Sequence, residues 1–159
     1  MNTYLLLKTV HILSSVLLVG TGFGSAFYLF FANRSDNVQA QAVVSRLVVR
    51  ADLWFTTPAA IVQPLSGIAL AHMAGWSLAT PWLALSLGMY AVAGACWLPV
   101  LWLQMRMGRM AQTAAALDQA LPADYLRFAR MWEALGYPAF VAMLATYWLM
   151  VNKPALWAQ

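Results

Sequence analysis

Long apolar stretches alternate with short polar connections along this chain of 159 residues. A helix needs about 20 apolar residues to cross a lipid bilayer. Four stretches meet that requirement, over about residues 4–31, 53–75, 82–104 and 134–151. Two further segments, about 36–52 and 106–133, place apolar and polar residues at helical spacing. The pattern predicts an all-α fold, a four-transmembrane-helix bundle that forms a single integral membrane domain over residues 1–159.

Turn and cap signals mark the ends of these helices. Asp36 follows a polar turn and is predicted to cap the segment 36–52, which we expect to lie near the lipid headgroups as a lead-in to the second crossing. Pro64 falls inside the second crossing, where it leaves a backbone carbonyl one turn earlier without its usual donor. Because no water reaches that depth, a kink or a polar partner is predicted there.

Composition and charge agree with a membrane location. The chain is 63% hydrophobic and 9% charged, against about 25% charged residues in soluble domains. Its net charge of +4 comes from arginines in two connections rather than from a basic face, so nucleic acid is not an expected partner. By the positive-inside rule both arginine-bearing connections face the cytoplasm, which predicts amphipathic cytoplasmic helical extensions and both termini outside a bacterial-type cytoplasmic (inner) membrane. These arginines are Arg34, Arg46 and Arg50 in one connection and Arg106, Arg109, Arg127 and Arg130 in the other.

Polar groups inside a membrane are costly and therefore mark candidate sites. His11 lies about two turns inside the first helix, where an imidazole can ligate haem iron or a metal ion, relay protons, or hydrogen bond to a neighbouring helix as a structural residue. Ser15, Gln63 and Tyr90 share the predicted inward faces of the first three helices. His72 lies at the same end of the bundle as His11, but its helical angle points away from Gln63.

Two carboxylates stand near arginines at the predicted cytoplasmic ends of helices. Asp52 follows Arg50, and Glu133 follows Arg130. Each pair is predicted to be a structural ion pair, with a proton entry point as the alternative. Cys96 lies in an apolar run and is expected to be a small core residue. The sequence contains no nucleophile motif and no phosphate-binding loop.

Several stretches resemble one family over nearly the whole chain. The chain is similar to the predicted integral membrane proteins of domain-of-unknown-function family 2269. The similar stretches are Lys8–Leu13, Ala32–Arg34, Ala51–Ala59, Val62–Gly67 and Trp97–Gln104. That family has no assigned activity, so the resemblance implies an architecture rather than a reaction.

A more distant resemblance is to the HemJ-type protoporphyrinogen oxidases and the CopD copper-resistance membrane proteins. HemJ-type proteins open with a Lys-x-x-His-Ile pattern like that of Lys8, His11 and Ile12, and continue to an arginine like Arg34. The resemblance implies haem b, with His11 as its axial ligand. The chain departs from the pattern at Ser86, where HemJ-type proteins carry a lysine, and this departure argues against porphyrin oxidation.

Two interpretations therefore stand side by side. In the first, a haem-b redox protein uses His11 as ligand, with His72, Ser15, Gln63 and Tyr90 around the cofactor, and exchanges electrons with a quinone or another membrane protein. In the second, the chain is a cofactor-free accessory subunit or a small transporter module. Copper handling is a third option, but no Met-x-x-Met or His-rich segment on the predicted outer side favours it. Lipid is an expected partner in each case, and a homo-oligomer is compatible with each.

Overall fold

The computed structural model describes residues 2–156 and confirms the all-α architecture. Within those residues four helices are long and apolar enough to cross a membrane: α1 (Thr3–Ala32), α2 (Val38–Met73), α3 (Pro81–Ala116) and α4 (Ala123–Asn152). The two predicted extensions are continuous with these helices. Residues 38–52 form the start of α2, and residues 106–133 form the end of α3, a short connection and the start of α4.

Side-chain caps explain where α1 and α2 begin. The Asn2 side chain accepts a hydrogen bond from the Tyr4 N–H at 3.0 Å, and the Asn37 side chain accepts one from the Ala40 N–H at 2.9 Å. The residue that caps α2 is thus Asn37, and the prediction of Asp36 was wrong. Asp36 has a φ of 49°, a left-handed conformation that Asp tolerates in turns, and it reverses the chain before the helix starts.

The larger packed core lies at one end of the predicted crossings and extends beyond it. α2 and α3 have 36 residues each, or about 54 Å of helix, whereas the hydrocarbon layer is about 30 Å thick. Both helices therefore project past it at the end that holds connections 33–37 and 117–122, which we call the arginine end. A cluster of buried apolar residues fills this region, including Val48, Leu103, Met107, Tyr125 and Trp132. One face of the start of α2 is thus buried against α3, and its expected position near the headgroups stays a prediction.

One widened turn interrupts α2. Residues Asp52–Thr56 form a π-helical turn, in which the Thr57 N–H bonds to the Asp52 carbonyl oxygen five residues earlier. Pro58 follows at once; it has no N–H, and its ring clashes with the carbonyl one turn back in a regular α-helix. The wider turn accommodates this proline, and Asp52 and Thr56 both lie buried within it.

The helices pack unevenly along the bundle. α1 lies along α2, α3 lies along α4, and the first half of α2 packs against α3 at the arginine end. In contrast, α1 and α4 approach each other at few positions, and the second half of α2 has little packing against α3. The bundle is therefore more tightly packed at the arginine end and looser in the half that contains both termini, which we call the terminal end.

Gly108 offers a test of the tight α2–α3 contact. A Cβ atom added at Gly108 would lie 3.6 Å from the Ser45 hydroxyl oxygen, an ordinary contact distance. We expect Gly108→Ala to be tolerated and Gly108→Leu to cost about 1–3 kcal/mol through overpacking. Thermal unfolding in detergent measures both. Gly88→Leu is the control, since Gly88 is exposed and has open space around it; equal melting temperatures for the two leucine variants would contradict this packing.

Candidate functional site

Two cavities lie inside the bundle, one after the other. The first, about 200 Å³, lies toward the terminal end, and we call it the His11 cavity. The second, about 790 Å³, extends toward the arginine end, and we call it the Asp52 cavity. Leu18, Tyr90 and Met143 line both cavities, so the cavities adjoin at these three residues, which we call the wall. The predicted candidates Ser15, Gln63 and Tyr90 all line the His11 cavity together with His11.

Both ring nitrogens of His11 are bonded to α2. Nδ1 lies 2.9 Å from the Ser66 hydroxyl oxygen, and Nε2 lies 3.2 Å from the Gln63 side-chain nitrogen. The Ser66 hydroxyl donates its own hydrogen to the Val62 carbonyl oxygen at 2.6 Å. It therefore accepts from His11, which assigns the proton to Nδ1 and leaves Nε2 to accept from the Gln63 amide. His11 thus joins α1 to α2 as a neutral, fully hydrogen-bonded imidazole.

Ser14 and Ser66 complete this cluster, although neither was predicted from the sequence as a site residue. The Ser14 hydroxyl bonds to the Gln63 side-chain oxygen and lies 2.9 Å from the His11 carbonyl oxygen. Ser14 and Ser66 stand three residues after His11 and Gln63, a spacing that places side chains on the same helical face and was the available signal. Ser15 instead donates to the Ile12 carbonyl oxygen at 2.8 Å, so it lines the cavity without joining the cluster.

Tyr90 supplies the polar partner that Pro64 was predicted to require. In a regular helix the carbonyl oxygen of Ala60 would accept from the residue at position 64, but proline has no N–H. The Tyr90 hydroxyl donates to this oxygen at 2.7 Å. Of the two predicted alternatives, a kink or a polar partner, the polar partner is confirmed. The helix Thr57–Met73 continues through Pro64. Tyr90 is thereby held at the wall between the two cavities.

Asp52 has a hydroxyl partner rather than a guanidinium. Its carboxylate accepts from the Thr56 hydroxyl at 2.8 Å and lies within hydrogen-bonding reach of Gln104 on α3. Arg50 is exposed, and among residues 2–156 no basic group lies within 4 Å of the Asp52 carboxylate. The predicted Arg50–Asp52 ion pair was therefore wrong. The helix directs the Asp52 side chain into the bundle and the Arg50 side chain outward.

Glu133 does form an ion pair, but with a different arginine. The Arg34 guanidinium donates to both carboxylate oxygens of Glu133, at 2.9 and 3.1 Å. The Glu133 carboxylate raises the pKa of the Arg34 guanidinium through these hydrogen bonds. Arg130 is exposed, and the predicted Arg130–Glu133 pair was wrong because both oxygens of the Glu133 carboxylate accept from Arg34 instead. The observed pair ties the end of α1 to α4.

His72 lies apart from the cluster. It is exposed in the last turn of α2, and it is absent from the walls of both cavities. The helical angle had indicated an outward direction, and the structure places the side chain accordingly. His11 and His72 are not brought together as a ligand pair.

The residues around His11 do not fit haem b. An iron atom requires the lone pair of an imidazole nitrogen, but Nε2 already accepts from Gln63 and Nδ1 carries the proton. The cavity of about 200 Å³ is smaller than the roughly 300–1,000 Å³ of typical small-molecule sites. Within the described part of the chain, no three His, Cys, Asp or Glu side chains are grouped to hold a metal ion. The sequence-based assignment of His11 as a metal ligand stays a prediction.

Gly67 tests the His11 cluster. A Cβ atom at Gly67 would lie 3.0 Å from His11 Cε1, so Gly67→Ala must displace the ring and weaken its bonds to α2. We expect a loss of about 1–3 kcal/mol in stability and altered nitrogen NMR shifts of His11, measured in a His72→Gln background that leaves one histidine. Gly24→Ala is the control, because Gly24 has open space around it. Unchanged His11 shifts in Gly67→Ala would contradict this geometry.

Comparison with known proteins places the chain in a family. No curated protein and no solved structure matches it significantly. One family model, described as a predicted integral membrane protein, matches residues 5–154, which is nearly the whole chain. With four helices long and apolar enough to cross a bilayer, the chain belongs to the integral membrane protein family DUF2269.

Proposed function

We propose that this protein is a small transporter module of a bacterial-type cytoplasmic membrane. The observation that supports it best is the pair of cavities that follow each other through the bundle with only Leu18, Tyr90 and Met143 between them. A path interrupted by a thin wall is what a transporter needs, since it must admit a solute from one side at a time.

The polar residues of the bundle support this proposal. His11 and Gln63 line the first cavity, and Asp52, Gln104 and Glu133 line the second. Polar and ionisable groups within membrane helices are costly, and in known proteins they mark solute pathways and proton relays. The arginine end faces the cytoplasm in this proposal, because both arginine-bearing connections lie there.

The size of the second cavity favours transport over a purely structural accessory role. Its volume of about 790 Å³ falls within the roughly 300–1,000 Å³ of small-molecule sites. An accessory subunit needs only surfaces that pack against its partner. The accessory role has no comparable feature in its support.

The absorption spectrum separates the transporter from the haem-b redox protein. Because both His11 nitrogens are engaged, we expect protein purified from haem-replete cells to show no Soret band. The matched control is His11→Ala. A Soret band in the wild type that disappears in His11→Ala would establish haem ligation and remove the basis of the transporter proposal.

Cysteine labelling tests the path. In a Cys96→Ala background, a membrane-impermeant thiosulfonate should label Ser15→Cys from the terminal side and Thr56→Cys from the arginine side, because thiols react as thiolates in water. Tyr90→Ala should open the wall, so that each cysteine becomes reactive from both sides.

Leu13→Cys is the control for this experiment. Leu13 is 57% exposed on the same helix as Ser15 and faces lipid, so its thiol should not react. The transporter proposal fails if Ser15→Cys and Thr56→Cys react no faster than Leu13→Cys in intact vesicles.

A further inference from the structure

The Asp52 cavity contains an acceptor that the protein leaves unused. The side chain of Gln104 is 4% exposed and lines the cavity, yet its carbonyl oxygen Oε1 has no hydrogen-bond partner. Thr57, on the facing helix α2, lines the same cavity, and its hydroxyl oxygen is also buried and unpartnered. Buried polar groups are nearly always hydrogen bonded, so two unpartnered oxygens that line the same cavity indicate a place for a ligand.

The Asp52 carboxylate in this cavity also lacks a positively charged partner among the described residues. Asp52 is 2% exposed and is bonded to Thr56, but no basic side chain of residues 2–156 lies within 4 Å of its carboxylate. The other carboxylate on this wall, Glu133, is already paired with Arg34. A buried carboxylate without a cation is unfavourable. The cavity therefore has room for one positive charge, next to acceptors that need an N–H or O–H donor.

The remaining walls are apolar and aromatic. They include Phe23, Phe27, Trp97, Tyr137 and Phe140, and the rings of Phe23 and Phe140 stack across α1 and α4 at 5.4 Å. Aromatic faces attract cations that have left water. Phe23, Phe27 and Tyr137 are each more than half exposed, at 56%, 51% and 64%. The cavity is therefore open toward the acyl chains between α1 and α4, and a lipid-soluble molecule can enter from the membrane.

We propose that the Asp52 cavity binds a lipophilic organic ammonium ion, which would be the substrate class of the transporter proposed above. The ammonium N–H groups donate to the Asp52 carboxylate and to Gln104 Oε1, and the apolar body lies among the aromatic rings. The proposal rests on the transporter function for its biological meaning, but not for the binding itself.

Three matched probes test this assignment. They are 4-phenylbutylammonium, the neutral 4-phenylbutanol, and the trimethyl quaternary analogue, which keeps the charge but has no N–H. Isothermal titration calorimetry with protein in nanodiscs of zwitterionic lipid, with empty nanodiscs as blank, gives the affinities. We expect the primary ammonium to bind at least about tenfold tighter than the alcohol, and also tighter than the quaternary ion, because a hydrogen bond to a charged group is stronger than one between neutral groups.

Two variants assign the effect to the named residues. Asp52→Asn should abolish the preference for the ammonium ion over the alcohol. Gln104→Leu should reduce the preference for the primary over the quaternary ion. The controls are Asp124→Asn and Gln119→Leu, which change the same residue types at exposed positions outside the cavity and should leave all three affinities unchanged.

The outcomes separate the site from the transporter. Equal binding of the ammonium ion and the alcohol to the wild-type protein overturns the assignment, as does a folded Asp52→Asn that keeps the preference. If Asp52→Asn does not fold, the affinities of the three probes for the wild type and for Gln104→Leu still show whether the cavity prefers a primary ammonium ion. Selective ammonium binding, with Ser15→Cys and Thr56→Cys no more reactive than Leu13→Cys, would support the site and refute transport. If Ser15→Cys and Thr56→Cys are both labelled but the ammonium ion and the alcohol bind equally, the ammonium site is refuted and the transporter proposal stands.

Discussion

The hydrogen bond from the Tyr90 hydroxyl to the Ala60 carbonyl oxygen sets the architecture of the membrane half. Pro64 deprives that carbonyl of its helical donor, and in hydrocarbon no water can replace it. The donor must come from another helix, and Tyr90 provides it at 2.7 Å. Because the second half of α2 otherwise packs little against α3, this bond is a main tie between them. It also fixes the tyrosine ring where both cavities end.

His11 illustrates how a polar residue in a membrane acquires a definite role from its neighbours. Alone, an imidazole is compatible with metal ligation, proton transfer or a structural bond. Here Ser66 is committed to the Val62 carbonyl oxygen and can only accept from the ring, which fixes the tautomer and leaves the other nitrogen for Gln63. The first cavity is thus bordered by a rigid polar junction between α1 and α2. The unpartnered oxygens of Thr57 and Gln104 line the other cavity.

Much of the fold could be predicted from the sequence, because the length of an apolar run and the spacing of polar residues are local properties. The four crossings, the inward position of Gln63 and the need for a donor near Pro64 all follow from such properties. The ion pairs could not be predicted in the same way. Glu133 was matched to Arg130 by proximity in sequence, whereas its partner Arg34 is 99 residues away. Which helices are neighbours is decided by packing at the arginine end, and no local pattern records it.

The two ends of the bundle are stabilised by different physical effects. Past the hydrocarbon layer, burial of apolar surface from water drives the cluster around Met107 and Tyr125. Within the bilayer, lipid is as apolar as the side chains, so helices are joined mainly by close contacts and hydrogen bonds. The core at the arginine end can therefore hold the four helices together while the cavities remain loosely packed. For the transporter proposed here, this favours a motion in which α1 and α2 move as one unit against α3 and α4. The arginine end, where Arg34 and Glu133 join α1 to α4, would then act as the pivot.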